Sequence, residues 1–218
     1  MIQKKHRHII WDWNGTLVND TAFCTELLNQ SLRKYNLPEI NICDYQNRFH
    51  FPVESFYREL GFLERGVTFE EISFLFIENY RSGWEHCLLQ DESIEIFDLL
   101  KQCGKTQSIL SASKQGPLEE YIDHFNIRHH FTDLIGVQHH YASGKEAEGL
   151  AWIRKKNLNP KEMLLIGDTV HDYEVAQHLG TDCILVSHGH YCRERLESTG
   201  ALIIDSFREL LEDLRFNY

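Results

Sequence analysis

The chain has 218 residues, 42% of them apolar and 25% charged, which is the balance of one folded domain or a core domain with an insert rather than of a disordered chain. Its formal net charge of −11, with no basic cluster longer than a few residues, argues against nucleic acid or an anionic membrane surface as partner. No apolar stretch approaches the roughly 20 residues that a membrane span needs.

Met1 to Arg7 is basic but runs straight into an apolar segment, so no secretory signal is expected there. The six cysteines (24, 43, 87, 103, 183, 192) include no Cys-x-x-Cys pair, and several fall in apolar runs. That pattern predicts reduced thiols in a cytoplasmic protein. The run 8–11 stops abruptly at Asp12 and a turn-prone Asn14-Gly15 pair, and it reads as a buried parallel strand. Residues 20–103 carry no strand signal and predict helices only, over 20–36, 52–60, 69–82 and 91–103. Pro52 stands in a first turn, Thr68 and Glu71 form a capping box, and Gly61 and Gly104 close two of the helices. Apolar runs then recur at 108–110, 134–137, 163–166, 183–186 and 202–204. Helical patterns at 144–157 and at 171–179 before Gly180 alternate with them, and Ser206 with Glu209 suggests a further capping box.

This alternation predicts an α/β fold, a doubly wound (Rossmann-like) parallel sheet. The first crossover is far longer than one connecting helix requires, so an all-helical subdomain is expected within it. The predicted division is a core of 1–18 and 91–218 and a helical cap of 19–90.

In such sheets ligands collect beyond the carboxyl ends of the strands, and there this chain places its chemistry. Asp12 follows the first run, Ser111-Ala112-Ser113-Lys114 the second, and Gly167-Asp168-Thr169-Val170-His171-Asp172 the fourth; Gly144-Lys145 opens the preceding helix. The residue types suit phosphoryl transfer. Asp12 and Asp168 offer oxygen ligands to Mg²⁺. Ser111 and nearby backbone N–H groups, Ala112 included, offer donors to phosphate oxygens. Lys145 offers fixed positive charge to the phosphoryl group, and Asp172 can orient that lysine or a metal-bound water. Each item alone has an ordinary structural reading as a turn, a cap or a solvated lysine; their succession at strand ends argues for a site.

The pattern resembles the haloacid dehalogenase superfamily of aspartate-nucleophile phosphatases. That family's Asp-x-Asp-Gly-Thr is matched, except at one position, by Asp12-Trp13-Asn14-Gly15-Thr16; its strand-end serine by Ser111; its helix-start lysine by Lys145; and its Gly-Asp with a later Asp by Gly167, Asp168 and Asp172. Leu110 to Pro117 is similar to β-phosphoglucomutases, and the stretch from Gly189 to Phe207 to phosphoglycolate phosphatases. The resemblance implies a phosphohydrolase of small phosphorylated metabolites. Asp12 would form an aspartyl-phosphate, and Ser111, Ala112 and Lys145 would hold the phosphate. Mg²⁺ would sit on Asp12, the main-chain carbonyl of Asn14, and Asp168, with Asp172 beside it.

The departure is Asn14. Most phosphatases of this family place an aspartate there to protonate the leaving group and then deprotonate water, and an amide does neither. Such help is typically worth about 10²–10⁴-fold in rate. Three readings follow: substrates with good leaving groups, such as acyl or enol phosphates; a substitute acid, with His50 and His171 as candidates; or a phosphate- and metal-binding regulatory module with little turnover. Arg48, His50 and Arg58 are further candidates for selecting substrate. A phosphonate hydrolase would need a cap lysine, and 20–90 offers only Lys34; a dehalogenase would not need the Asp168/Asp172 pair. His188, His190 and the pairs 129/130 and 139/140 do not have zinc-site spacing, and adjacent histidines are expected to point apart.

Overall fold

The computed structural model describes residues 1–138 and 145–217; His139, His140 and Gly144 lie outside the described residues. Six strands form one parallel sheet: β1 (His8–Trp11), β4 (Thr106–Lys114), β5 (Asp133–Val137), β6 (Met163–Gly167), β7 (Asp182–Val186) and β8 (Leu202–Ile204), in the order β5-β4-β1-β6-β7-β8. The chain winds from β1 outward through β4 and β5, then returns to β6 on the other side. β1 is therefore the point where the strand order reverses, and its carboxyl end opens between those of β4 and β6.

The side-chain period of two distributes each apolar run between two layers. Ile9, Trp11, Leu164 and Ile166 face one core, which Phe97 of α5 (Ser93–Gln102), Leu118 of α6 (Gln115–His124) and Phe207 and Leu210 of α10 (Phe207–Asn217) complete. Ile10, Leu110 and Leu165 face the other, against Trp152 of α7 (Glu146–Lys156) and Val175 and Leu179 of α8 (Val170–Leu179). Polar atoms in the first core are matched: the Trp11 indole N–H donates to Gln107 Oε1 at 3.0 Å, and the Gln107 amide donates to the Phe97 carbonyl at 3.0 Å.

Between β1 and β4 the chain forms α1 (Thr21–Lys34), α2 (Ile42–Arg48), α3 (Val53–Glu59) and α4 (Phe69–Arg81). Leu27, Leu28, Phe56, Phe62 and Ile72 bury one another, in a core continuous with that of the sheet. The expected capping box at α4 is present, with Glu71 N–H on Thr68 Oγ1 and Thr68 N–H on Glu71 Oε2.

Four expectations are corrected. The stretch 20–103 is not helical throughout: β3 (Leu88–Leu89) pairs antiparallel with β2 (Val18–Asn19), a ribbon too short to show a period. α2, α6 and the short α9 (Arg193–Glu197) were not anticipated; α2 is started by Asn41, whose side chain accepts from Asp44 N–H at 2.8 Å. The second strand runs to Lys114 rather than stopping at 110, because its register with β5 shifts between Leu110 and Lys114. The box at Ser206 does not close: Glu209 Oε1 accepts from Asp205 N–H instead, one residue too early.

Candidate active site

β1 delivers Asp12 to the rim of the sheet, and the Asp12 N–H bonds to the Ile166 carbonyl at 2.9 Å, tying the turn to β6. Lys145, just before α7, reaches back beneath that turn. Its ammonium donates to Asp12 Oδ1 and, at 2.6 Å, to Asp172 Oδ1. The lysine side chain is only 2% exposed. Burial works against its charge, but the two facing carboxylates outweigh burial and hold it protonated.

Asp172 is the third residue of α8 and also completes that helix's cap. Its Oδ2 accepts from the backbone N–H groups of Asp168 (3.2 Å) and Thr169 (3.0 Å) and from Thr169 Oγ1 (2.6 Å). Both of its oxygens are therefore engaged within the protein, and the main visible duty of Asp172 is to fix Lys145. Burial raises its carboxyl, but the lysine and these donors prevail and lower it below the usual carboxylate range.

Asp168 stands at the end of β6. Oδ1 accepts from Thr16 Oγ1 at 2.8 Å, and Oδ2 from the His190 backbone N–H at 2.6 Å. Two glycines make this approach feasible: a Cβ on Gly15 or Gly189 would collide with the Asp168 carboxylate. Oxygens of Asp12, Asp168 and Asp172 lie within 4.8 Å of one another. Three buried carboxylates gather here and Lys145 contacts two of them, Asp12 and Asp172; the carboxyls of Asp12 and Asp168 are raised. Burial pushes Asp12 up to about 6 against the pull of Lys145. Burial likewise pushes Asp168 up to about 8; His190 pulls it down, and Asp12 and Asp172 push it further up. A hard divalent cation on the Asp12 and Asp168 oxygens would offset their negative charge, so the donor set fits Mg²⁺.

Ser111 and Ala112 lie on β4 beside this cluster, shortly beyond Ile109, the register partner of Trp11. Ser111 is buried, and its Oγ accepts from Ser113 N–H at 3.0 Å. Neither residue is hydrogen-bonded to the carboxylates. The link between the β1 and β4 turns is Ser113, whose hydroxyl donates to Asn14 Oδ1 at 3.1 Å.

Sequence reasoning missed the partners of Asn14. Asp20, fully buried, accepts from the Asn14 amide at 2.7 Å, from Gly15 N–H at 2.9 Å and from the Tyr80 hydroxyl at 2.8 Å. The His190 ring faces Asp20 at 3.3 Å with its other nitrogen on the Tyr45 hydroxyl. Burial opposes charge on His190, but Asp20 overcomes it and lifts the imidazole to about 9. Cys24 adjoins the same carboxylate at 3.7 Å. The only signal in the sequence was an aspartate six residues after Asn14 with no assigned duty.

Other candidates lie elsewhere. His50 and His171 line a separate cavity of about 420 Å³ with Phe51 and Arg195; that cavity is not lined by Asp12, Ser111 or Lys145. Arg48 pairs with Glu59 and Arg58 with Glu54, both at the surface. Lys34 is exposed against the Tyr35 ring. His129 and His130 do not point apart as expected: in a 3-10 turn their rings lie 4.0 Å apart. Neither belongs to a potential metal-binding group among the described residues.

Among curated proteins, the chain is 21% identical over 211 residues to tyrosine-protein kinase PtkA of Mycobacterium tuberculosis, covering 93% of this chain and 72% of that one. It is 22% identical over 213 residues to phosphoglycolate phosphatase 1 of Pseudomonas aeruginosa, covering 94% and 78%. Among solved structures it superposes on a predicted phosphoglycolate phosphatase from Haemophilus somnus with a TM-score of 0.77 at 19% identity, covering 97% and 99% of the two chains. Residues 9–186 match the family described as haloacid dehalogenase-like hydrolase, and with the carboxylates and lysine at its strand ends the chain belongs to that family.

Proposed function

We propose that the protein is a Mg²⁺-dependent phosphohydrolase of small phosphorylated metabolites that works through an aspartyl-phosphate on Asp12. The observation that carries this reading is the buried contact between Asp12 and Lys145 with the Asp168 oxygens close by. A carboxylate held against a fixed ammonium can approach a phosphoryl group whose charge the ammonium shares.

Asp12, Asp168 and the Asn14 carbonyl would hold the metal, which when bound would supply charge neutralisation for the transferring phosphoryl group. Asp12 attacks phosphorus, the bond to the leaving oxygen breaks, and that oxygen departs with its electron pair. Ser111, the Ala112 backbone and Lys145 hold the phosphate oxygens meanwhile. Water then attacks the acyl phosphate, returning Asp12 and releasing phosphate. Asp172 keeps Lys145 in place throughout. Residues 1–18 and 91–218 act as the catalytic core, and 19–90 as a cap that covers the site. The likeness to phosphoglycolate phosphatases favours a small phosphorylated metabolite as substrate. The likeness to a tyrosine kinase fits the same first step, because an aspartyl-phosphate can pass its phosphoryl group to water or to a hydroxyl. The six unpaired thiols suit a reducing, cytoplasmic setting.

Release of phosphate from p-nitrophenyl phosphate, dependent on Mg²⁺ and abolished in Asp12→Asn, tests this reading against a non-catalytic phosphate-binding module. Equal release by the native protein and Asp12→Asn would overturn it.

A further inference from the structure

The way Asn14 is held bears on the substrate class, given the phosphohydrolase reading above. A carboxylate only accepts hydrogen bonds, so the end of Asn14 that faces Asp20 at 2.7 Å must be its NH₂. The second amide hydrogen goes to the Tyr80 hydroxyl at 2.9 Å, which itself donates to Asp20. The amide oxygen accepts from Ser113. Both amide hydrogens of Asn14 are thus committed inside a partly buried network, and the partner that dictates an amide at this position is the fully buried Asp20. A carboxylate at 14 would press a second anionic oxygen against that of the fully buried Asp20. The candidate substitutes His50 and His171 do not enter the network: His50 is bonded to the Arg48 carbonyl, and His171 lies between Glu146 and Glu174 against the Phe51 ring. His190 does touch it, but both its ring nitrogens are taken, one by Asp20 and the other by the Tyr45 hydroxyl.

We propose that Asp20 is a positioning residue that fixes position 14 as a non-titrating amide, restricting the protein to phosphates whose leaving groups depart without a proton: acyl, enol and aryl phosphates rather than alkyl phosphates. Tyr80 carries the same network into α4, so the inserted helices are joined to the nucleophile turn at this point. The bond broken is that between phosphorus and the leaving oxygen. An acyl, enolate or phenolate oxygen leaves as a stable anion, whereas an alkoxide must be protonated as it departs, and nothing at position 14 does so.

The test is a four-protein cycle of native, Asn14→Asp, Asp20→Asn and Asn14→Asp/Asp20→Asn. Each is assayed on acetyl phosphate, p-nitrophenyl phosphate and glycerol phosphate with Mg²⁺, and each is melted without substrate. The native protein should show kcat/KM on glycerol phosphate about 10²-fold or more below its value on acetyl phosphate. Each single substitution should lower the Tm by about 5 °C or more, from a mismatched buried pair. The double variant restores one carboxylate facing one amide; it should regain most of that Tm and raise kcat/KM on glycerol phosphate by about 10²-fold over native. A purely structural Asp20 would move the melting temperatures without the change in leaving-group preference. Additive Tm losses, or an Asn14→Asp protein as stable as native, would overturn the pairing. A native protein equally fast on all three substrates would overturn the restriction. Native inactivity on every substrate would instead strike the phosphohydrolase reading, while the melting cycle would still decide the pairing.

Discussion

Lys145→Met removes the ammonium that faces Asp12 and Asp172, at nearly constant side-chain length. The lysine is 2% exposed, Asp172 3% and Asp12 11%, so water has little access to the charges left behind. Breaking a buried pair by removing one partner typically costs about 3–5 kcal/mol. For a chain of this size that corresponds to a Tm fall of roughly 10 °C or more. The cost has a definite pH dependence. Burial already holds the Asp12 carboxyl up at about 6, and without Lys145 it rises further. A carboxyl raised above its unfolded value binds more protons in the native state, so stability is lost as pH rises through the folded pKa. The deficit of Lys145→Met should therefore be small near pH 4 and grow toward pH 8. Thermal melts in EDTA, followed by circular dichroism across that range, measure it. Native and variant curves that coincide at pH 8 would refute the charge-compensation argument.

Other outcomes follow from the same geometry. Mg²⁺ at about a hundred times its Kd should stabilise the native protein by about 2.7 kcal/mol, seen as a raised Tm. Asp168→Asn should lose that shift; a shift unchanged in the variant would place the cation elsewhere. Thr169→Val removes both the cap of α8 and the hydroxyl on Asp172, and should cost about 1–2 kcal/mol in urea unfolding. No change in midpoint would contradict that. His8 is buried against Trp152 and lowered to about 4 by burial, with Asp133 pulling the other way. Its unfolded value is 6.5, so its contribution is present above that pH and lost as pH falls toward 4, amounting to about 3 kcal/mol. His8→Gln should flatten the stability profile across this window, and parallel profiles would show that another group dominates.

The sheet was legible because β1, β6 and β7 are short, largely apolar runs bounded by polar turns, and carboxylates stood at the ends of the first two. Lys145 was legible only in company with the strand-end carboxylates, since a lysine opening a helix is by itself ordinarily solvated. The network around Asn14 was not legible at all: Asp20, Tyr80, Ser113 and His190 lie up to 176 positions from Asn14, and folding alone brings them together. Two-residue β2 and β3 lie below the length at which a period can be read. α2 was hidden because it buries only Tyr45 and so shows no apolar stripe.

The central claim is that Asp12 carries the phosphoryl group. Acid-quenching the protein during turnover of acetyl phosphate with Mg²⁺, then digesting it and mapping peptides by mass spectrometry, addresses that directly. A phosphoryl mass gain on the peptide containing Asp12, absent from Asp12→Asn, is the predicted result; turnover with no phosphorylated species, or with the adduct on another residue, would contradict it.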